Sequence, residues 1–198
     1  MRDDVLLASP DGTIELSFLR EDDDLGEYVK WMRDPSVVRY MCSGGPQTTE
    51  QDLVEYIRAM RDQGNCLMAI RSVADGMHLG NVNLLAFNRA SRRADIGIVV
   101  GVRDRQGSGV GFNALTLLLY YGFSQLGLHR ITGGVVADNT PSIRLFEKAG
   151  FIREGCSREH FLAADGWHDA VHFGLLDNEA REQGWWTALK NSDCVRSR

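Results

Sequence analysis

Apolar positions along the chain fall into blocks with two different spacings. Leu16, Phe18 and Leu19 form the first short run and predict a first strand. Asp22–Asp24 follow, where helix N-caps and first turns favour acids, ahead of Leu25, Tyr28, Val29 and Met32 at helical spacing. Asp34-Pro35 ends that helix. Thr48-x-x-Gln51 predicts a capping box for a helix carrying Leu53, Tyr56, Ile57 and Met60, closed by Gly64-Asn65. Cys66 to Val73, Leu79 to Phe87 and Ala94 to Val100 read as three strands. They are joined by the turns Asp75-Gly76 and Asn88–Arg93, an antiparallel meander. Val110 to Leu126 returns to helical spacing (Phe112, Leu115, Leu118, Leu119, Phe123, Leu126) and stops at Gly127. Ile131 to Ala137 is another strand, and Thr140-Pro141 opens a short helix with Pro at its first position, ended by Gly150. Residues 151–176 read as two strands around the turn Asp165-Gly166. Grouped strands with interposed helices indicate an α+β fold around one sheet.

Composition narrows the class. A chain of 198 residues with 43% apolar and 25% charged positions makes one soluble domain that needs no disulfide or metal to hold it. The longest apolar stretch, Leu115 to Phe123, is far short of the about 20 residues that span a bilayer, so no membrane partner is expected. The opening MRDDVLLASPDG lacks the apolar centre of a signal peptide. Cys42, Cys66, Cys156 and Cys194 include no CxxC pair and read as free thiols, which makes a cytoplasmic setting the default. Net charge is −5, with the excess acid concentrated before residue 31, including Asp3 and Asp4 beside Arg2. An acidic chain is a poor nucleic-acid binder. Arg89 to Arg105 is locally basic and reads as a solvated loop.

The most informative stretch is Arg103-Asp104-Arg105-Gln106-Gly107-Ser108-Gly109-Val110-Gly111, between a strand and the long helix. Its glycines let the backbone turn tightly and bring N–H groups near an anion, and the helix start adds unpaired donors and a positive dipole end. Together these suit a pyrophosphate. A P-loop requires Lys after the glycines, and none is present. A dinucleotide fingerprint requires a third glycine where Phe112 stands, after the first strand rather than after several. The spacing Gln-x-x-Gly-x-Gly at Gln106, Gly109 and Gly111 resembles the pyrophosphate motif of the GCN5-related N-acetyltransferases (GNAT). The later stretch Ala137-Asp138-Asn139-Thr140-Pro141-Ser142 through Gly150-Phe151 resembles the same family's second motif, with YGFSQLGLHRIT between the two. The resemblance covers residues 14–177 and is strongest over 78–176. It lies nearest the branch of ribosomal-protein alanine acetyltransferases and bacterial amino-sugar acetyltransferases. His78-Leu79-Gly80-Asn81, Arg92-Arg93-Ala94-Asp95-Ile96-Gly97 and Arg158-Glu159-His160-Phe161 lean toward the sugar members.

The resemblance implies one domain over 1–198, with a core of about 14–177 and a C-terminal tail 178–198. Its central sheet would be mixed, mostly antiparallel, splayed at the cofactor cleft and flanked by helices. Acetyl-CoA would be the co-substrate, with no metal. Its arm would lie along Val99, Val100 and Val102, and its pyrophosphate on Arg105, Gln106, Gly107, Ser108, Gly109, Val110 and Gly111. Asn139 would bond the arm or shape the substrate end. A backbone N–H near Val100 would stabilise the oxyanion. Asp95 aligns with a strand carboxylate taken as base; the shorter Asp in place of Glu suggests a water relay, and an ion pair with Arg92 or Arg93 is the alternative. Glu159 is the second candidate, set against an exposed strand position. Ser142 aligns with a proposed acid. Where many members carry an acidic Tyr, Phe146 lines the cofactor with no proton to give, so Ser142 or water must serve. No Cys lies in the glycine loop or its helix, so the transfer is expected to be direct. The acceptor would be an amino sugar, nucleotide-linked, or a protein N-terminus; the competing reading is a non-catalytic CoA-binding module.

Smaller features are read locally. His168 and His172 lie four apart in a strand, about 13 Å, too far for joint metal binding. His160 lines a substrate pocket or sits on an edge strand. Trp185 and Trp186 are expected in a lid or homodimer contact, and Tyr120 and Tyr121 in packing of the long helix.

Overall fold

A computed structural model describes residues 5–41, 44–163, 166–192 and 194–197. Cys42, Asp165 of the predicted turn and Arg2, Asp3 and Asp4 of the acidic opening lie outside them. Among the described residues nine strands form one sheet: β1 (Val5–Ala8), β2 (Ile14–Phe18), β3 (Cys66–Ser72), β4 (His78–Asn88), β5 (Arg93–Val100), β6 (Arg130–Val136), β7 (Ile152–Ala163), β8 (Gly166–Leu176) and β9 (Val195–Ser197). Their order is β7-β8-β6-β5-β4-β3-β2-β1-β9. β5 and β6 run parallel and the other neighbours antiparallel, an α+β architecture. The helices are α1 (Gly26–Arg33), α2 (Pro35–Val38), α3 (Glu50–Asp62), α4 (Val110–Ser124), α5 (Thr140–Lys148), α6 (Asp177–Arg181) and α7 (Gly184–Lys190). None of the described helices is long and apolar enough to cross a membrane.

The central strands are buried on both faces, and their side chains alternate between two cores. On β3, Cys66, Met68 and Ile70 join a core with α4, while Leu67 and Ala69 join one with α1 and α3. α4 is apolar nearly all round and lies inside the larger core, with Leu115, Leu117, Leu118 and Leu119 at most 1% exposed. α1 and α3 are amphipathic and cover the opposite face of the sheet through Tyr28, Trp31, Leu53 and Ile57.

Several local expectations shift. The run at Leu16 and Phe18 is the second strand, because β1 precedes it and pairs with it; Leu19 lies past its end and packs in the core under α1 and α3. The capping box sits one residue on. Thr49 Oγ1 accepts from Asp52 N–H at 3.2 Å, and Asp52 accepts from Thr49 N–H at 2.7 Å, in place of Thr48 and Gln51. Pro35 ends α1 and also opens α2, capped by the Asp34 carboxylate, which accepts from Ser36 N–H at 2.8 Å. In α5 the Asn139 side chain caps the helix, so Thr140 holds the first position and Pro141 the second. Trp186 packs into the chain's own core and is not a lid, and Trp185 packs beside it, half-buried. Trp186 is 6% exposed with its ring 4.8 Å from that of Tyr120, and Trp185 Nε1 donates to Ala149 O at 3.1 Å. Residues 195–197 close the sheet against β1.

The β1–β2 turn shows how side chains fix a tight connection. Asp11 accepts from Ser9 Oγ at 2.7 Å, Thr13 Oγ1 at 2.8 Å and, across to α4, Asn113 Nδ2 at 2.8 Å. Burial opposes the charge, but these donors outweigh it and bring the carboxyl from 3.8 to about 2. A lowered pKa contributes stability that is present above the unfolded value and lost as pH falls through the folded one. The expected result is a melting temperature that drops between about pH 4 and pH 2, with a smaller drop in Asp11→Asn, read by thermal melts across that range.

Candidate active site

β5 and β6 are paired over three steps only: Arg93 with Arg130, Ala94 with Ile131, and Asp95 with Thr132. Past Asp95 the strands part, and a cleft of about 950 Å³ opens between them. A wedge holds it open. Phe146 of α5 is 2% exposed, stacks with Phe151 and Phe173, and lies where a side chain on Gly133 would otherwise be. The cleft wall includes Val99 on β5, Gly134 to Val136 on β6, and Asn139, Ser142 and Phe146 around α5.

The glycine loop leaves the outer end of β5. A turn at Arg103–Arg105 leads into Gln106, whose Nε2 donates to Val100 O at 2.9 Å, and Ser108 Oγ donates to Arg105 O at 2.6 Å. Gly107 and Gly109 take φ of +75° and +94°, left-handed values that side chains resist. Gly109 caps α4 with no side-chain bond, and the first helical bond runs from Asn113 N to Gly109 O. The N–H groups at Val110, Gly111 and Phe112 therefore have no partner within the helix, at its positive dipole end. A Cβ on Gly111 would sit 3.5 Å from Leu145, so α4 and α5 approach closely here. Val100 and Val102 turn their side chains into the core. Arg105 is exposed on the loop.

Asp95 stands at the throat, exposed, on the cleft wall, accepting from Thr132 Oγ1 on the neighbouring strand. Its side-chain partner is Thr132, with no ion pair to Arg92 or Arg93 among the described residues. Asn139 Oδ1 accepts from Ser142 N–H at 3.2 Å and holds Ser142 at the cleft. Glu159 is not brought to this site. It lies in an irregular stretch of β7 with φ of +47°, its N–H bonded to Asp169 at 2.9 Å. His168 bonds Asp138 at 3.0 Å and His172 bonds Ser157 at 2.7 Å, so each has its own partner. The His160 ring lies 5.5 Å from that of His172 and outside the cleft lining.

The sequence reading missed the chamber on the α1 and α3 side of the cleft. Tyr28 of α1, Tyr40, and Asp52 and Tyr56 of α3 line it, with Asn81 and Asn83 on β4 as its floor. On that face Asn81 and Asn83 stand opposite Val99 and Gly97, and Leu85 stands opposite Asp95. Asn81 is 3% exposed and bonds His78 Nε2 at 2.8 Å, while Asn81 Nδ2 and Asn83 Oδ1 have no protein partner. Burial pushes the His78 imidazole below its usual value, and its ring lies 4.8 Å from that of Trp31. Burial also raises the Tyr28 and Tyr56 phenols, keeping both protonated. Two polar residues two apart in an otherwise buried strand were the available signal. Tyr28 and Tyr56, on helices read only for packing, gave none, and neither did Tyr40, which lies past the end of α2. Tyrosine faces and two carboxylates, Asp52 and Asp95, suit an amine.

Known proteins resemble this chain in sequence and in fold. A family profile described as "Acetyltransferase (GNAT) domain" matches residues 14–152. The uncharacterized N-acetyltransferase p20 of Bacillus licheniformis is 30% identical over 161 residues, 79% of this chain and 89% of the relative. The spermidine N(1)-acetyltransferase of Escherichia coli K12 is 25% identical over 159 residues, 80% of this chain and 84% of the relative. Among solved structures, Mycobacterium smegmatis RimJ in complex with CoA-disulfide shares the fold with a TM-score of 0.80 at 21% identity, covering 100% of this chain and 98% of that one. A parallel nucleotide-binding sheet is excluded by the strand order. The chain belongs to the GNAT acetyltransferases and is an N-acetyltransferase.

Proposed function

We propose that the protein transfers an acetyl group directly from acetyl-CoA to the primary amine of a small molecule, an amino sugar carried on a nucleotide. The observation that carries this is the throat: Asp95 stands on the cleft wall where the paired part of β5 and β6 ends, and the Asn83 and Asn81 floor of the amine-suited chamber follows on the same face toward the end of β5 from which the glycine loop leaves. The pyrophosphate of CoA lies on the free N–H groups of Val110 and Gly111, with the turn of Arg105 to Gly109 shaping the approach. Its arm follows the β5 edge at Val99, Val100 and Val102, against Phe146 and Asn139. Asp95 removes the amine proton, directly or through water, and a backbone N–H near Val100 receives the developing oxyanion. The tetrahedral centre then collapses, the C–S bond breaks and the C–N bond remains. Ser142 or water returns the proton to the thiolate, since Phe146 has none to give. Position favours Asp95 over Glu159 for the base. Use of acetyl-CoA fits a cytoplasmic setting.

A protein N-terminal amine is the second reading. Leu162 and Trp167, opposite one another on β7 and β8 and 61% and 60% exposed, offer an apolar rest for a peptide beyond the cleft.

The test is thiol release from acetyl-CoA with matched panels of nucleotide-linked amino sugars, polyamines and peptides, each product identified by mass. The sugar panel is expected to give the highest kcat/KM. Turnover confined to peptides would overturn the sugar assignment and favour the second reading.

A further inference from the structure

The turn joining β4 to β5 carries Arg89 and Arg92, and β5 begins with Arg93; all three are exposed and without an ion pair among the described residues. This is unlike Arg103, Arg130 and Arg181, each of which has a carboxylate. The turn is held firmly. Asn88 Oδ1 accepts from Ser91 N–H at 2.9 Å, and Arg92, at φ of +48°, gives its carbonyl to His129 N–H at 2.6 Å and Arg130 N–H at 3.3 Å.

The register places Arg93 directly beside Arg130 across the parallel pair, one step of the same face from Asp95 and Thr132. Like charges opposite one another cost stability. Glu154 pairs with Arg130 and leaves Arg93 uncompensated. The face therefore has two tiers about 7 Å apart along β5: a carboxylate tier at Asp95, and a cationic tier at Arg93 flanked by Arg92 and Arg89.

We infer that Arg89, Arg92 and Arg93 form an anion-binding rim that takes a phosphate group of the acceptor while its amine meets Asp95. The ligand class is an amine and a phosphate separated by about the width of one sugar ring. Guanidinium groups suit phosphate through paired N–H donors. The inference rests on the acetyl-transfer reading and narrows its acceptor. It distinguishes this site from one built for a polyamine, which carries no anion for the rim.

The test uses the full chain saturated with CoA, so that the glycine loop is occupied, and titrates inorganic pyrophosphate by calorimetry. Wild type is expected to bind, and Arg89→Gln/Arg92→Gln/Arg93→Gln to bind at least tenfold more weakly. The thermal shift given by CoA should stay unchanged in that variant. Arg93→Gln alone, which removes the like-charge contact, gives an intermediate loss and folds at least as stably. In a paired assay, preference for a hexosamine phosphate over the free hexosamine falls toward unity in the triple variant. A wild type that shifts with CoA but ignores pyrophosphate overturns the rim alone, as does a triple variant that binds as wild type does. Tight binding of a short RNA without pyrophosphate binding also overturns it, in favour of a nucleic-acid surface. Pyrophosphate binding on these arginines without any CoA shift supports the rim and sinks the acetyl-transfer reading.

Discussion

Asp95→Asn lowers kcat for acetyl transfer by about 10²–10⁴-fold, the usual worth of a positioned base, with little change in KM for acetyl-CoA. The substitution keeps the size of the side chain and an oxygen to accept from Thr132 Oγ1, so the junction of β5 and β6 is preserved. What is lost is the charge that receives the amine proton. Equal loss in kcat and kcat/KM for the acceptor marks an interaction made in the transition state. Glu159→Gln provides the contrast. Its position in the irregular part of β7, away from the cleft lining, predicts activity within twofold of wild type, a bound on the order of 0.4 kcal/mol. Steady-state kinetics at saturating acetyl-CoA read both. An Asp95→Asn enzyme with full kcat would remove the base from the mechanism.

Gly80→Ala is expected to weaken both the fold and the cofactor wall. Gly80 faces Val100 across the β4–β5 ladder, and a Cβ there would fall on the Val99 carbonyl oxygen and lie 3.0 Å from Val100 Cα. These are backbone atoms, which cannot swing aside as a side-chain end can. Either β4 parts from β5 or the ladder slips, at a cost of roughly 1–3 kcal/mol. For a chain this long that is a fall in melting temperature of roughly 2–12 °C. The displaced residues are those along which the CoA arm is placed, so KM for acetyl-CoA rises as well. Gly155→Ala, where a Cβ meets nothing within 4 Å, is the matched control. An unchanged melt and KM in Gly80→Ala would show that the two strands are not held at this spacing.

The parts of this structure that were legible in the sequence are those written in local rules. Gln106 to Gly111 declares itself because left-handed turns and a bare helix start demand glycine at fixed places. The meander of β3, β4 and β5 is legible because its runs are long enough to show alternation and are separated by turn residues. Other parts were not. β1 and β9 have four and three residues, too few for a period; β1 is a strand through its pairing with β2 and β9, and β9 through its pairing with β1 from the other end of the chain. Thr48 and Thr49 satisfy the capping rule equally as sequence; the register of α3 is settled by burial of Leu53 and Ile57 against β3, a tertiary effect. Trp186 reads as a sticky exposed ring until α7 folds back on Tyr120. The chamber was the largest omission, since Tyr28, Tyr40, Tyr56 and Asn81 come from four separate segments and share no spacing.

The measurement that tests the account most directly is thermal stability with acetyl-CoA, CoA, NAD or ATP added singly. A ligand at about 100 times its Kd adds about 2.7 kcal/mol, a rise of roughly 5–10 °C in a chain of this length. That rise is expected with acetyl-CoA and CoA, and none with NAD or ATP. A rise with NAD or ATP and none with either form of CoA would contradict the assignment of the glycine loop, and with it every role placed along the cleft.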